Sequence, residues 1–115
     1  MALSWNEISS HVLNTLSPSE RQSSVVYLDK RVLPPHSTLE IDRRTVHVPS
    51  QVIVAFVDLD PTANWAHDCR YLLVDPETGR VNSVNAHLPP FLRGAPETLQ
   101  VIWKGNDVPN WSVAL

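Results

Sequence analysis

Val52-Ile53-Val54-Ala55-Phe56-Val57-Asp58-Leu59 is the most apolar run in the chain. It is rich in β-branched and aromatic residues, with Pro49 before it and Pro61 after it. The run is far shorter than the ~20 residues of a membrane span and suits a strand buried on both faces. Such a strand needs cover above and below. Every other segment is read as something packed around it.

Working outward, Cys69-Arg70-Tyr71-Leu72-Leu73-Val74 is a second strongly apolar strand. The stretch from Asp60 to Asp68 joins the two as a loop long enough to carry function. In Asp75-Pro76-Glu77-Thr78-Gly79, Pro76 presets φ and Gly79 can take the left-handed position, so the chain turns. Arg80-Val81-Asn82-Ser83-Val84 alternates and returns as a half-exposed hairpin partner. Upstream, Thr38-Leu39-Glu40-Ile41 and Thr45-Val46-His47-Val48 alternate around Asp42-Arg43-Arg44, a hairpin with one wet face. Ser24 to Leu28 reads as a strand, broken afterwards by Pro34-Pro35. Asn85 to Pro96 is a proline-broken connection. Thr98 to Trp103 is the next strand, Lys104 to Asp107 a turn, and Trp111 to Leu115 a final edge strand.

Ser4-Trp5-Asn6-Glu7 has the form of a capping box, in which serine and glutamate satisfy each other's backbone amides. Trp5, Ile8, Val12 and Leu16 follow at helical spacing. Ser17-Pro18 stops that helix, because the residue before proline avoids the α region. Pro18-Ser19-Glu20 can open a second helical turn. One helix and about seven short strands predict a mainly β fold. The expectation is an antiparallel β-sandwich or barrel with one N-terminal amphipathic helix. The alternative is α+β, a curled antiparallel sheet cradling the helix. The chain reads as a single domain over 1–115, with the helix at about 4–16 and the β-rich body at about 23–115.

At 115 residues, 43% hydrophobic and 18% charged, the chain has a globular balance rather than a disordered one. Its net charge of −3 is unclustered, and no basic run is longer than a pair such as Arg43-Arg44. No basic stripe is available to neutralise a phosphate backbone, so nucleic acid is not an expected partner. No stretch suits a membrane span, and no signal peptide is visible. The lone Cys69 allows no internal disulfide and fits a reducing, cytoplasmic compartment.

Three stretches can carry chemistry. Asp58-Leu59-Asp60-Pro61-Thr62 resembles the D-x-D-x-T opening motif of haloacid-dehalogenase-type phosphatases. That resemblance implies Asp58 as nucleophile and magnesium ligand and Asp60 as acid/base. No helix follows the motif and no parallel sheet is expected. Lys104 and Asp107, the only later counterparts, lie too close together for that family's layout. In His67-Asp68-Cys69, a thiol near an imidazole has the elements of a nucleophile with its base. His67, Cys69 and His87 are alternatively a zinc set, without a clear fourth ligand. The third feature is aromatic: Trp65 and Trp111 each follow an asparagine in loop-like sequence, and Trp103 ends a strand. Tryptophans on a small β scaffold either anchor a partner or plug the ends of the framework, the indole N–H reaching a carbonyl.

The function expected from these residues is a small non-catalytic binding or interaction module for a protein or peptide. Its face would comprise Asn64, Trp65, His67, His87, Phe91, Arg93 and Trp111. The competing expectation is a Cys/His-dependent or metal-dependent enzyme using His67, Cys69 and His87, or a phosphatase-like Asp58/Asp60 site. No cofactor or resident metal is expected. Open strand edges leave homo-oligomerisation by strand pairing as a further expectation.

Overall fold

The computed structural model describes residues 2–63, 66–90 and 97–113. Helix α1 spans Trp5–Leu13 and α2 spans Pro18–Ser23. Seven strands follow: β1 Val25–Leu33, β2 Thr38–Ile41, β3 Arg44–His47, β4 Val52–Asp58, β5 Cys69–Val74, β6 Val81–Ala86 and β7 Leu99–Lys104. Both helices begin with capping boxes, Ser4 with Glu7 and Ser17 with Glu20, and Pro18 stands in the first turn of α2.

Five strands form one sheet in the order β6-β5-β4-β1-β7, antiparallel at every junction. β4 lies at its centre, as the apolar octapeptide predicts, and every residue but Val54 is buried. Alternation splits its side chains between two cores. Ile53, Ala55 and Val57 meet Ile8, Val12 and Leu16 from the α1 segment. Phe56 faces the other way, packing with Tyr27, Tyr71 and Ile41. Ile41 comes from β2, which among the described residues pairs only with β3; this separate hairpin covers the second face.

The architecture is therefore mainly β, with an antiparallel curled sheet and an N-terminal helix. It is the form anticipated as the alternative, and no barrel closes among the described residues. A sandwich needs a second sheet, and β2–β3, four residues per strand, supplies only a flap. Two further expectations change. β1 runs on to Leu33 through an irregularity between Leu28 and Val32. The final edge strand begins instead as a 3-10 turn at Asn110–Ser112.

The helix side is pinned at the β5–β6 turn. The Leu3 amide donates to the Pro76 carbonyl at 2.7 Å. Gly79 has φ +77°, and a Cβ there would stand 2.5 Å from the His11 ring. The left-handed backbone favours glycine at this position, and a side chain there would also have to displace the exposed His11 ring. Among the described residues no helix is long and apolar enough to cross a membrane.

Candidate functional site

The strand registers create the site. Val25 pairs with both Asp58 and Lys104, Asp58 with Cys69, and Cys69 with Ala86. Lys104, Val25, Asp58, Cys69 and Ala86 thus form one row at one end of the sheet. From that row leave the loop after β4, the connection after β6 and the C-terminal segment after β7. These segments hold every residue singled out for binding. Asn64, Trp65, Phe91 and Arg93 lie outside the described residues. His67, His87 and Trp111 are described.

His67 and His87 come close together. The His67 amide donates to the His87 carbonyl at 3.0 Å, joining the two segments. The His87 ring is largely exposed, with Nε2 3.5 Å from Asp68 Oδ1 and Nδ1 3.7 Å from Asp42 Oδ2. Trp111, 74% exposed, lies in the 3-10 turn of the segment that follows β7. β7 and β6 are separated by four interstrand steps, about 19 Å at the usual strand spacing. Trp111 and His87 thus follow strands on opposite edges of the sheet. Trp103 plays the other role open to tryptophan: its indole Nε1–H donates to the Arg21 carbonyl at 2.7 Å.

Asp58 and His67 form a buried pair. His67 Nε2 lies 2.7 Å from Asp58 Oδ1, with 9% and 7% of the two side chains exposed. Burial raises the Asp58 pKa, and the charge and hydrogen bond of His67 only partly offset it. Asp58 Oδ1 also accepts the Asp60 amide at 3.1 Å, closing the start of the loop. With Asp58 ionised, Nε2 donates to it; Nδ1 is buried without a partner among the described residues. His67 lines an open cleft of about 620 Å³ with Ser19, Glu20, Asp60 and Asp68. Arg70 closes the neighbouring wall through Glu20, 2.9 Å away.

Cys69 faces elsewhere. Its Sγ lies 3.7 Å from the Leu88 carbonyl, and burial pushes its thiol up to about 12. A thiol so held stays protonated near neutrality and is a poor nucleophile. His67, Cys69 and His87, considered as a zinc set, each engage a different group: Asp58, Leu88 and the Asp42/Asp68 pair. No group of three or more His, Cys, Asp or Glu among the described residues is arranged to hold a metal ion. Asp58 and Asp60 close an antiparallel strand, and the Asp58 carboxylate is committed to His67 and to the loop backbone. The parallel sheet implied by the phosphatase resemblance is not the setting of this motif.

Asp42 is the organising residue that sequence reasoning missed. Its carboxylate accepts the amides of His87 at 3.0 Å and Leu88 at 2.9 Å. Burial acts to raise its pKa, but these two amide bonds, with His87 and Arg44 nearby, bring it below the usual carboxylate value. Asp42 and Arg43 have φ of 53° and 63°, a two-residue hairpin turn with both central residues left-handed. That turn aims the carboxylate across at the connection after β6. The available signal was an acidic residue at a hairpin tip lacking the usual Asn-Gly. Tyr71 completes the anchorage by donating its hydroxyl to the Leu88 carbonyl at 2.8 Å.

No protein-family model, curated protein or solved structure gives a significant match to this chain.

Proposed function

We propose that this chain is a non-catalytic binding module that recognises a protein or peptide partner with the loop end of its sheet. One observation carries the proposal: the strand registers deliver three connecting segments to that end. There they present an exposed indole, Trp111, and an exposed His87–Asp68 pair. Binding sites gather on loops held by a rigid scaffold, and aromatic side chains supply most of the energy of small interfaces. The Asp42 clamp and the His67–His87 backbone bond support the same reading, because they pre-order the segments and lower the cost of association. The small unclustered charge argues for a protein or peptide rather than nucleic acid. A cytoplasmic setting belongs to the same proposal, on the strength of the single cysteine.

A second reading, an enzyme using His67, is favoured by one observation. Asp58 orients an imidazole whose other nitrogen is unpartnered beside a cleft. The state of Cys69 weighs against its thiol-dependent form.

The test is selection of a displayed random-peptide library on the full chain. The enriched peptide is then titrated against Trp111→Ala and an Asp68→Ala/His87→Ala double variant. A loss of tenfold or more in either, with unchanged thermal unfolding, supports the proposal. Failure to enrich any sequence, or equal affinity in both variants, overturns it.

A further inference from the structure

The two edges of the five-stranded sheet are built differently. On β7, Val26 pairs with Trp103 but Tyr27 with Val101, so Ile102 is an extra residue in the ladder. That strand ends on Lys104. A bulge and a lysine are devices that block edge-to-edge pairing. β6 has neither. Val81-Asn82-Ser83-Val84-Asn85-Ala86 carries no charge and no proline, and its register with β5 is unbroken.

The direction of its backbone groups follows from the ladder. The Asp75 amide donates to the Arg80 carbonyl at 2.9 Å, so Arg80 faces β5. By alternation Asn82, Val84 and Ala86 face β5 as well. The N–H and C=O groups of Val81, Ser83 and Asn85 therefore point away from the sheet. No loop or side chain among the described residues bonds to them. The open run stops at His87, whose amide is capped by Asp42.

We propose that β6 is a self-association edge, paired antiparallel with β6 of a second copy about a two-fold axis through Ser83. In this register Val81 faces the partner's Asn85, Ser83 faces the partner's Ser83, and every outward N–H and C=O finds a match. No like charges oppose each other along the strand. Its two ends are complementary in charge. Arg80 is exposed and makes no ion pair among the described residues. The pairing lays it opposite the partner's Ala86, one residue before His87, which is flanked by the acidic groups Asp42 and Asp68. A closed, isologous two-fold contact satisfies both copies at once and leaves β6 no longer an edge. The inference does not depend on the binding proposal, and the two loop ends of such a dimer point in opposite directions.

The experiment is light scattering coupled to size exclusion on the full chain, with Ser83→Pro and Ser83→Lys. Proline at this outward-facing position removes a docking donor and spares the β5 ladder. Lysine there faces its own copy across the axis. The expected mass is twice 12.9 kDa for the parent and 12.9 kDa for both variants. Far-ultraviolet circular dichroism should be unchanged. If Ser83→Pro does not fold, Ser83→Lys alone decides. A monomeric parent at 100-micromolar loading, or a folded variant that stays dimeric, overturns the proposal.

Discussion

His67 Nε2 meets Asp58 Oδ1 at 2.7 Å where both side chains are almost wholly shielded from water. Removing one partner of a buried pair leaves the other charge uncompensated. His67→Ala should therefore destabilise the protein by about 3 kcal/mol at neutral pH, a typical loss for a broken buried pair. The sign of the pH dependence follows from the raised pKa of Asp58. The folded state holds this proton more tightly than the unfolded chain. The group therefore costs stability as pH rises from the ordinary aspartate value, about 3.9, through its higher folded value. The deficit of His67→Ala should shrink in acid, and Asp58→Asn in the His67→Ala background should recover part of it. Urea titrations at several pH values provide the check; a pH-independent deficit would show that only packing was lost.

Asp42 has the opposite sign. Its folded pKa is lowered, so its stabilisation is fully present above the unfolded value, about 3.9, and is lost as pH falls through the lower folded one. Asp42→Asn has no such titration. Parent and variant should differ by a constant amount above about pH 5, and the gap should close in acid once the Asp42 carboxylate is protonated. Glu20 and Asp29, also lowered, titrate in both proteins and cancel from the difference. Thermal unfolding of the pair between pH 3 and 7 measures it. A gap that persists at the acid end would assign the effect to the lost hydrogen-bond geometry, not to the charge.

Cys69 gives a chemical test of the same end of the sheet. Its thiol is pushed up to about 12 by burial, with Asp42, Asp58 and Asp68 adding to the shift. Against an ordinary cysteine near 8.5, the thiolate fraction at a given pH is lower on the order of a thousandfold. Labelling of the native protein by a thiol-specific disulfide reagent at pH 8 should be slower than that of the urea-unfolded chain by at least a comparable factor. Stoichiometric labelling of the folded protein within minutes would instead reveal an activated thiol and restore the Cys/His enzyme reading.

The legible parts of this fold were those written as apolar periodicity. β4 and β5 are nearly continuous hydrophobic runs, and α1 carries both its cap and its stripe in sequence. The second half of β1 was hidden because Asp29-Lys30-Arg31 interrupts that pattern. Asp29 is nevertheless buried there, held by Arg31 at 2.8 Å. The choice between sandwich and curled sheet was open for a similar reason: alternation in β2 and β3 announces a hairpin but not whether it joins the main sheet or folds across it. In the site, loop length and prolines pointed to the segments after β4 and β6, and the registers do bring them to one end. The Asp58–His67 pair and the Asp42 clamp were not legible. Each joins residues that only the tertiary fold brings together, Asp42 and His87 being 45 positions apart.

The hairpin turn supplies a last prediction that separates conformation from chemistry. Asp42 and Arg43 both have positive φ, and an L-residue there costs roughly 1–2 kcal/mol. Glycine removes that cost but adds chain entropy to the unfolded state, about 0.5–1 kcal/mol. Arg43 is exposed, and no hydrogen bond or ion pair holds its side chain among the described residues. Arg43→Gly should therefore stabilise the protein by about 0.5 kcal/mol, the remainder of those two terms. Asp42→Gly gains the same conformational relief and loses the carboxylate that accepts the His87 and Leu88 amides. Hydrogen bonds to a charged group contribute about 1.5–3 kcal/mol each, so losing two of them should leave Asp42→Gly destabilised by about 3 kcal/mol or more net. Adjacent glycine substitutions in one turn would thus move the denaturant midpoint in opposite directions. If both raised it, the turn would matter only as backbone, and Asp42 would lose its place as the residue that fixes the connection after β6.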